Sequence, residues 1–205
     1  MAIVRTAACR AGLPLALLLT AFTPAAQAQL GITDVLSAPK TLIDRAIEAR
    51  SAADIAEDNR IVAEINGIMA QLGTIKASTE IYEQRLLITG LFSDKSTYDQ
   101  FLAKVKGVRG IKKLYWHAIY MSEADQKAAH LASWADTLAI ATKAQARLVG
   151  TAGVADVNFR TTADSTGTVY LLGRARSKEE AQKALARVRD GDGVKKVVDY
   201  VVVRP

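Results

Sequence analysis

Few side chains in this sequence are of a type and spacing suited to chemistry. His117 and His130 are the only histidines. A metal centre needs several ligands that converge at fixed spacing, and neither stretch supplies them. Asp190 to Gly193 reads DGDG, half of a calcium loop. The later oxygen ligands and the bidentate glutamate of an EF-hand are missing, so the segment is better explained as a helix-ending turn. Gly107 to Gly110 reads GVRG without the strand and helix that frame a phosphate loop. No nucleophile has a sequence-adjacent base. The sequence therefore predicts no catalytic residue, no metal and no cofactor. His117 shares a strand face with Tyr115 and Ile119, opposite Leu114 and Ala118, which turns it toward a second packing surface.

The elements that would position these residues follow an export signal. Arg5 and Arg10 precede the apolar run LPLALLLTAF, and Ala26 and Ala28 provide a small-residue cleavage site. Residues 1–28 read as a secretory signal peptide cleaved after Ala28, with no later transmembrane segment. Cys9, the single cysteine, lies ahead of the apolar run, so it is badly placed for lipoprotein processing and leaves with the signal. The remaining 177 residues hold one domain or two small ones. They carry +4, all of it in Tyr170 to Pro205, where nine basic residues stand against five acidic. Charge confined to one end, in an exported chain, argues against a nucleic-acid partner. It suits an anionic membrane surface or a solvated face alike.

The chain contains a duplication. Setting Gly110 on Gly193 also sets Gly90 on Gly173, and "GIKKLY" on "GVKKVV". Between the glycines, Tyr98, Phe101, Leu102 and Val105 fall on Ala181, Ala184, Leu185 and Val188, one apolar helix stripe in each copy. Ser177 to Glu180 forms a capping box for the second helix, and Ser93 or Asp94 caps the first. "RLLITG" and "TVYLLG" read as strands preceded by hairpins that turn near Glu83-Gln84 and around Asp164 to Gly167. Upstream, Ile61, Ile65, Met69 and Leu72 mark a helix that ends at Gly73. A longer helix is predicted to open at Ser122-x-x-Asp125 and run to Gly150. The fold class is α+β: two tandem αββαβ two-layer sandwich modules, residues 58–121 and 122–205. Residues 29–57 are expected to be an N-terminal helical segment or linker, with a stripe of Leu42, Ile43, Ala46 and Ile47 for packing on the first module or dimerising, if it is not mobile. A unit of about 70 residues is marginal alone, and two packed together gain burial.

The Asp58-x-x-Ile61 pattern, "LLITG", the helix and "GIKKLY" resemble a BON domain (bacterial OsmY and nodulation). The second copy repeats it with Asp136-x-x-x-Ile140, "VYLLG" and "GVKKVVDY". The resemblance implies an exported, periplasmic protein similar to OsmY-like and outer-membrane phospholipid-binding members. It implies peripheral binding to an anionic phospholipid surface in support of envelope integrity. The alternative it leaves open is a periplasmic chaperone or protein-interaction module, linked to osmotic stress and to an envelope protein partner.

In both copies a glycine (Gly110 or Gly193) is expected to end a helix, where a positive φ costs glycine little. The following lysine pair starts a strand, so its members point to opposite faces and at least one lies near solvent. Trp116 alternates with Leu114 and Ala118 on the core side. Trp134 lies at the start of the second copy's first helix, near Leu131. In the dual-module lipid-binding relatives that helix makes membrane contact, so the resemblance marks Trp134 as a candidate anchor; the other reading is a plug between modules. The candidate lipid-binding set is Trp134, Leu131, Arg174, Arg176, Lys195 and Lys196.

Overall fold

The computed structural model describes residues 48–73 and 76–205. The signal segment and the Leu42 to Ile47 stripe lie outside them. The elements are α1 (Ala52–Leu72), β1 (Ala77–Tyr82), β2 (Arg85–Phe92), α2 (Lys95–Lys106) and β3 (Lys113–Tyr120). Then follow α3 (Glu123–Ala128), α4 (Trp134–Leu148), a 3₁₀ turn (Asp156–Asn158), β4 (Phe159–Ala163), β5 (Thr168–Ala175), α5 (Lys178–Arg189) and β6 (Lys196–Val203). The two sheets have orders β1-β2-β3 and β4-β5-β6, each with an antiparallel hairpin and a parallel third strand. A parallel pair needs a crossover, which α2 and α5 provide. The α+β fold with two modules of like topology is the one the sequence predicts. The register agrees as well: β2, α2 and β3 stand 83 residues ahead of β5, α5 and β6.

Local chemistry sets the boundaries. Ser51 caps α1, Asp94 caps α2 and Ser177 caps α5, each side chain accepting an N–H of the first turn. The first hairpin closes through Glu83 and Gln84, both at positive φ, and the two-residue loop matches the twist of its strands. The second is one residue longer and places Gly167 at φ 84°. The glycines Gly110 and Gly193 do adopt positive φ, at 88° and 80°, but not as helix ends. The helices stop at Lys106 and Arg189, and each glycine turns the chain just before its strand. A Cβ there would strike Glu57 Oε1 at 2.2 Å or Ile140 Cγ1 at 3.0 Å. These glycines thus let the first helix of each module close on the loop. Gly90 and Gly173 serve close approach instead: a Cβ would meet the carbonyl of Lys76 at 2.9 Å or of Asn158 at 2.2 Å.

Each sheet turns one face to its helices. In the first module Ile61, Ile65, Leu86, Ile88, Phe101 and Val105 form the core, with Trp116 against it and donating to the Tyr98 hydroxyl at 3.1 Å. In the second, Ala144, Leu148, Phe159, Leu171, Ala184 and Val188 do the same. The other faces meet back to back, giving layers in the order helix, sheet, sheet, helix. Tyr82, Leu87, Tyr170 and Leu172 are buried between the sheets, flanked by Tyr115, Val198 and Tyr200. Tyr115 stacks on Tyr200 at 3.9 Å between centroids. His117 lies 4.3 Å from the Tyr170 ring, its Nε2 2.8 Å from the Tyr200 hydroxyl. It faces the other module, as strand alternation predicts.

Polar groups fix this contact. Arg85 donates to the carbonyls of Tyr200 and Gly173 at 2.9 and 2.7 Å, and Thr89 and Thr162 share a bond of 3.0 Å. Tyr82 donates to Asn158 at 2.9 Å. Asp58, fully buried, accepts the backbone N–H of Glu83 at 2.9 Å and of Gln84 at 2.7 Å, and Arg50 at 2.9 Å. Burial alone would lower the Arg50 pKa, but hydrogen bonds and attraction from Glu48 and Asp58 outweigh it and leave it raised. Asp58 and Asp136 are not structural equivalents, contrary to the sequence pattern. Asp136 is exposed and bonded to Ser133 in a first turn, as Asp54 is to Ser51. The buried stripe puts Ala141 where α1 has Asp58.

Two outcomes follow from this packing. Asp58→Ala strips two turn amides and a buried guanidinium of their acceptor, so denaturant unfolding should show a loss of about 3–5 kcal/mol. Asp136→Ala should leave the midpoint nearly unchanged. Burial lowers the His117 pKa from 6.5, against a smaller opposing pull from Asp164. A base with a depressed folded pKa keeps its full stability contribution above the unfolded value. It loses that contribution as pH falls from about 6.5 toward the folded pKa, because the unfolded chain takes up the proton first. The unfolding midpoint should therefore drop as pH is lowered from about 7.5 to about 5.5, and His117→Gln should flatten the slope.

Candidate functional site at the module junction

The segment joining the modules breaks where the sequence predicts continuous helix. Two Ser-x-x-Asp boxes lie in it. Ser122 accepts the Asp125 N–H at 3.2 Å and starts α3; Ser133 accepts the Asp136 N–H at 3.1 Å and restarts the helix as α4. Between them His130 adopts φ 48°, a left-handed conformation that is uncommon outside glycine and asparagine. Ala132 donates to the Ser165 carbonyl at 2.9 Å, which ties the break to the β4–β5 turn. The capping energy of the second box, on the order of 1 kcal/mol, favours the interruption over one long helix.

The break opens a cleft of about 540 Å³. One wall comes from the first module, with Lys76, Gly90 and Leu91. The other comes from Lys127, His130, Leu131, Trp134 and the β4–β5 turn. Trp134 and Leu131 are both half-buried. Neither belongs to any of the three apolar clusters among the described residues, whereas Leu138 and Ile140 on the same helix do. The indole therefore lines the cleft between the modules without filling a core.

The turn beside it is held by its own hydrogen bonds. Asp164 accepts the Thr166 N–H and the Thr168 N–H through one oxygen, and the Tyr170 hydroxyl at 2.8 Å through the other. Burial, then the bond to Asp164, pushes the Tyr170 pKa up, which keeps this phenol protonated. Lys195 donates its backbone N–H to Gly167 across the same turn at 2.8 Å, and its side-chain stem covers that glycine. Lys195 and Lys196 are exposed, as are Lys112 and Lys113 in the first module.

The structure thus brings together Trp134, Leu131, Lys195 and Lys196 at one end of the second module. Arg174 and Arg176 stand at the other. Thr168 pairs with Lys196 at the near end of β5, and Arg174 is six residues on, about 20 Å at the usual strand rise. Arg174 is held by the carbonyls of Ala49 at 3.2 Å and Pro205 at 2.6 Å and by Glu83 at 3.5 Å. Arg176 lies 3.5 Å from Glu180, a buried carboxylate that also accepts the N–H groups of Ala155 and Arg176. Lys76 and Lys127 line the cleft and were not singled out by sequence; His130, weighed there only as a metal ligand, lines it too. The second Ser-x-x-Asp box is the signal that locates them.

Residues 136–205 match the BON domain family. An Anaplasma centrale protein described as "Uncharacterized protein in gshII 5'region" is 29% identical over 152 residues, 71% of this chain and 93% of that one. Two solved structures of CdsD, a structural protein of the type III secretion system of Chlamydia trachomatis, align over 71% of this chain and 98% or 93% of theirs. Their identities are 12% and 13% and their TM-scores 0.29 and 0.28, too low to carry a structural conclusion. Among the described residues no helix is long and apolar enough to cross a membrane, and no cluster of His, Cys, Asp or Glu could hold a metal ion. With its paired glycines, its αββαβ order and the family match in register, the stretch from residue 136 to residue 205 is a BON domain.

Proposed function

We propose that this protein is a non-enzymatic component of the bacterial envelope that binds anionic phospholipid surfaces peripherally through its second module. The observation that carries this reading is the position of Trp134. A half-buried indole outside every core cluster, lining a cleft together with Leu131, has an apolar body available to a headgroup boundary. Lys195 and Lys196 are exposed at the same end of the module and supply attraction to an anionic surface. Arg174 is held by contacts at the far end, and the exposed Arg176 stands at that end too, so this reading assigns neither a part. The export signal in the sequence and the BON domain support an envelope location.

Co-sedimentation with vesicles tests this. Vesicles containing phosphatidylglycerol should retain the protein at low salt and release it as salt rises, and phosphatidylcholine vesicles should not retain it. Lys195→Ala with Lys196→Ala should weaken binding roughly 30-fold, from about 1 kcal/mol per lysine. Trp134→Ala should weaken it at every salt concentration, and Arg176→Ala should have little effect. No retention on anionic vesicles at low salt would overturn the reading and leave the cleft to a polypeptide partner.

A further inference from the structure

Each sheet has one outer strand that follows its crossover helix: β3 in the first module and β6 in the second. Along a strand, alternate residues aim both backbone groups at the neighbour and the rest aim them outward. Lys113 donates to the Gln84 carbonyl and Met121 to the Phe92 carbonyl, so the odd-numbered residues of β3 face β2. Leu114, Trp116, Ala118 and Tyr120 therefore present N–H and C=O to the open edge. In β6 Arg204 donates to Ala175, so Val197, Asp199, Val201 and Val203 point outward.

The two edges are treated differently. On β6 the Asp199 carboxylate accepts the outward N–H of Val201 at 2.8 Å and sets a charge in mid-strand. This is a common way of blunting an edge against association. On β3, among the described residues, the outward backbone groups of Leu114, Trp116, Ala118 and Tyr120 have no hydrogen-bond partner. The strand's one formal charge is Lys113, at its start. Ile119 and Tyr120 are 39% and 42% exposed, large apolar side chains at the end of an open strand.

We propose that β3 pairs antiparallel with β3 of a second copy of this chain about a two-fold axis at His117, merging the two first-module sheets into one of six strands. Self-pairing must set outward residues against outward residues. In this register Leu114 meets Tyr120, and Trp116 meets Ala118, so the bulkiest side chain lies opposite the smallest. On the other face Tyr115 meets Ile119 and Lys113 meets Met121, so no lysine faces a lysine. A shift of two residues one way opposes Trp116 to Trp116; the other way leaves Leu114 unpaired. The two His117 side chains meet on the axis itself, and the register sets large against small and keeps the lysines apart. One strand pair is a small interface, so the dimer belongs to the weak, concentration-dependent class.

Sedimentation velocity of the purified protein over a series reaching about 1 mM, with amide exchange at each concentration, tests this. A dimer should appear as concentration rises, and the amides of Leu114, Trp116, Ala118 and Tyr120 should gain protection with it. Ile119→Lys should abolish the dimer without lowering the melting temperature. Met121→Glu, opposite Lys113, should lower the dissociation constant by about two- to thirtyfold through two new opposite-charge pairs, and Met121→Lys should raise it. A chain that stays monomeric, Met121→Glu included, overturns the proposal and leaves the edge to a foreign strand. A dimer that shifts alike with glutamate and lysine at position 121, or that leaves the four amides unprotected, overturns it also.

Discussion

Burial of two sheet faces against each other is the constraint on which the rest of this structure depends. Helices cover only one side of each three-stranded sheet. The other side carries Tyr82, Leu87, Tyr170 and Leu172, which would be left in water if the modules separated. A unit of about 70 residues removes too little surface to stand comfortably alone. The contact is not purely apolar. Arg85, Thr89, Thr162, Asn158 and the Asp58–Arg50 pair sit within or around it and are satisfied by specific partners. Groups of this kind add little net stability against well-packed apolar residues, yet they tolerate few alternative registers. In this docking each of them finds a partner, and the junction holds a cleft.

The two modules reach one topology with different internal chemistry. The first has an aromatic core of Phe92, Tyr98, Phe101 and Trp116. The second relies on alanines at the matching helix positions, Ala181 and Ala184, with Phe159 filling from the sheet. The hairpins diverge as well. Asp58 reaches from a helix to hold the first turn, so that turn is coupled to α1 and to the lead segment through Arg50. The second turn holds itself through Asp164. A turn stabilised from within leaves its neighbouring helix free to vary, and that helix, α4, is the one bearing Trp134.

The break between α3 and α4 gives the junction its shape. A continuous helix from Ser122 to Gly150 would have carried Trp134 and Leu131 on a smooth surface. The interruption at His130 instead places both on one wall of a cleft whose other wall holds Lys76 and Leu91 of the first module. Whatever occupies the cleft touches both halves of the duplication at once.

Much of this was legible in the residues. The spacing of Gly90 and Gly110 against Gly173 and Gly193 gives the duplication and its register. The i, i+3, i+4 stripes give the helix faces, and strand alternation sends Trp116 inward and His117 toward the other module. These are local properties, encoded by the periods of helix and strand. Three things were settled only by tertiary contact. Asp58 and Asp136 look alike in sequence, but one is buried on a turn and the other caps a helix. Arg174 and Lys196 read as one basic group but stand at opposite ends of a strand pair. The helix break after Ser122 is marked locally by the Ser133-x-x-Asp136 box, but its tie to the β4–β5 turn through Ala132 is tertiary. Periodicity says which side of an element must be covered. It does not say what covers it, and a polar residue on the second face of a sheet looks the same in sequence whether water or another module lies above it.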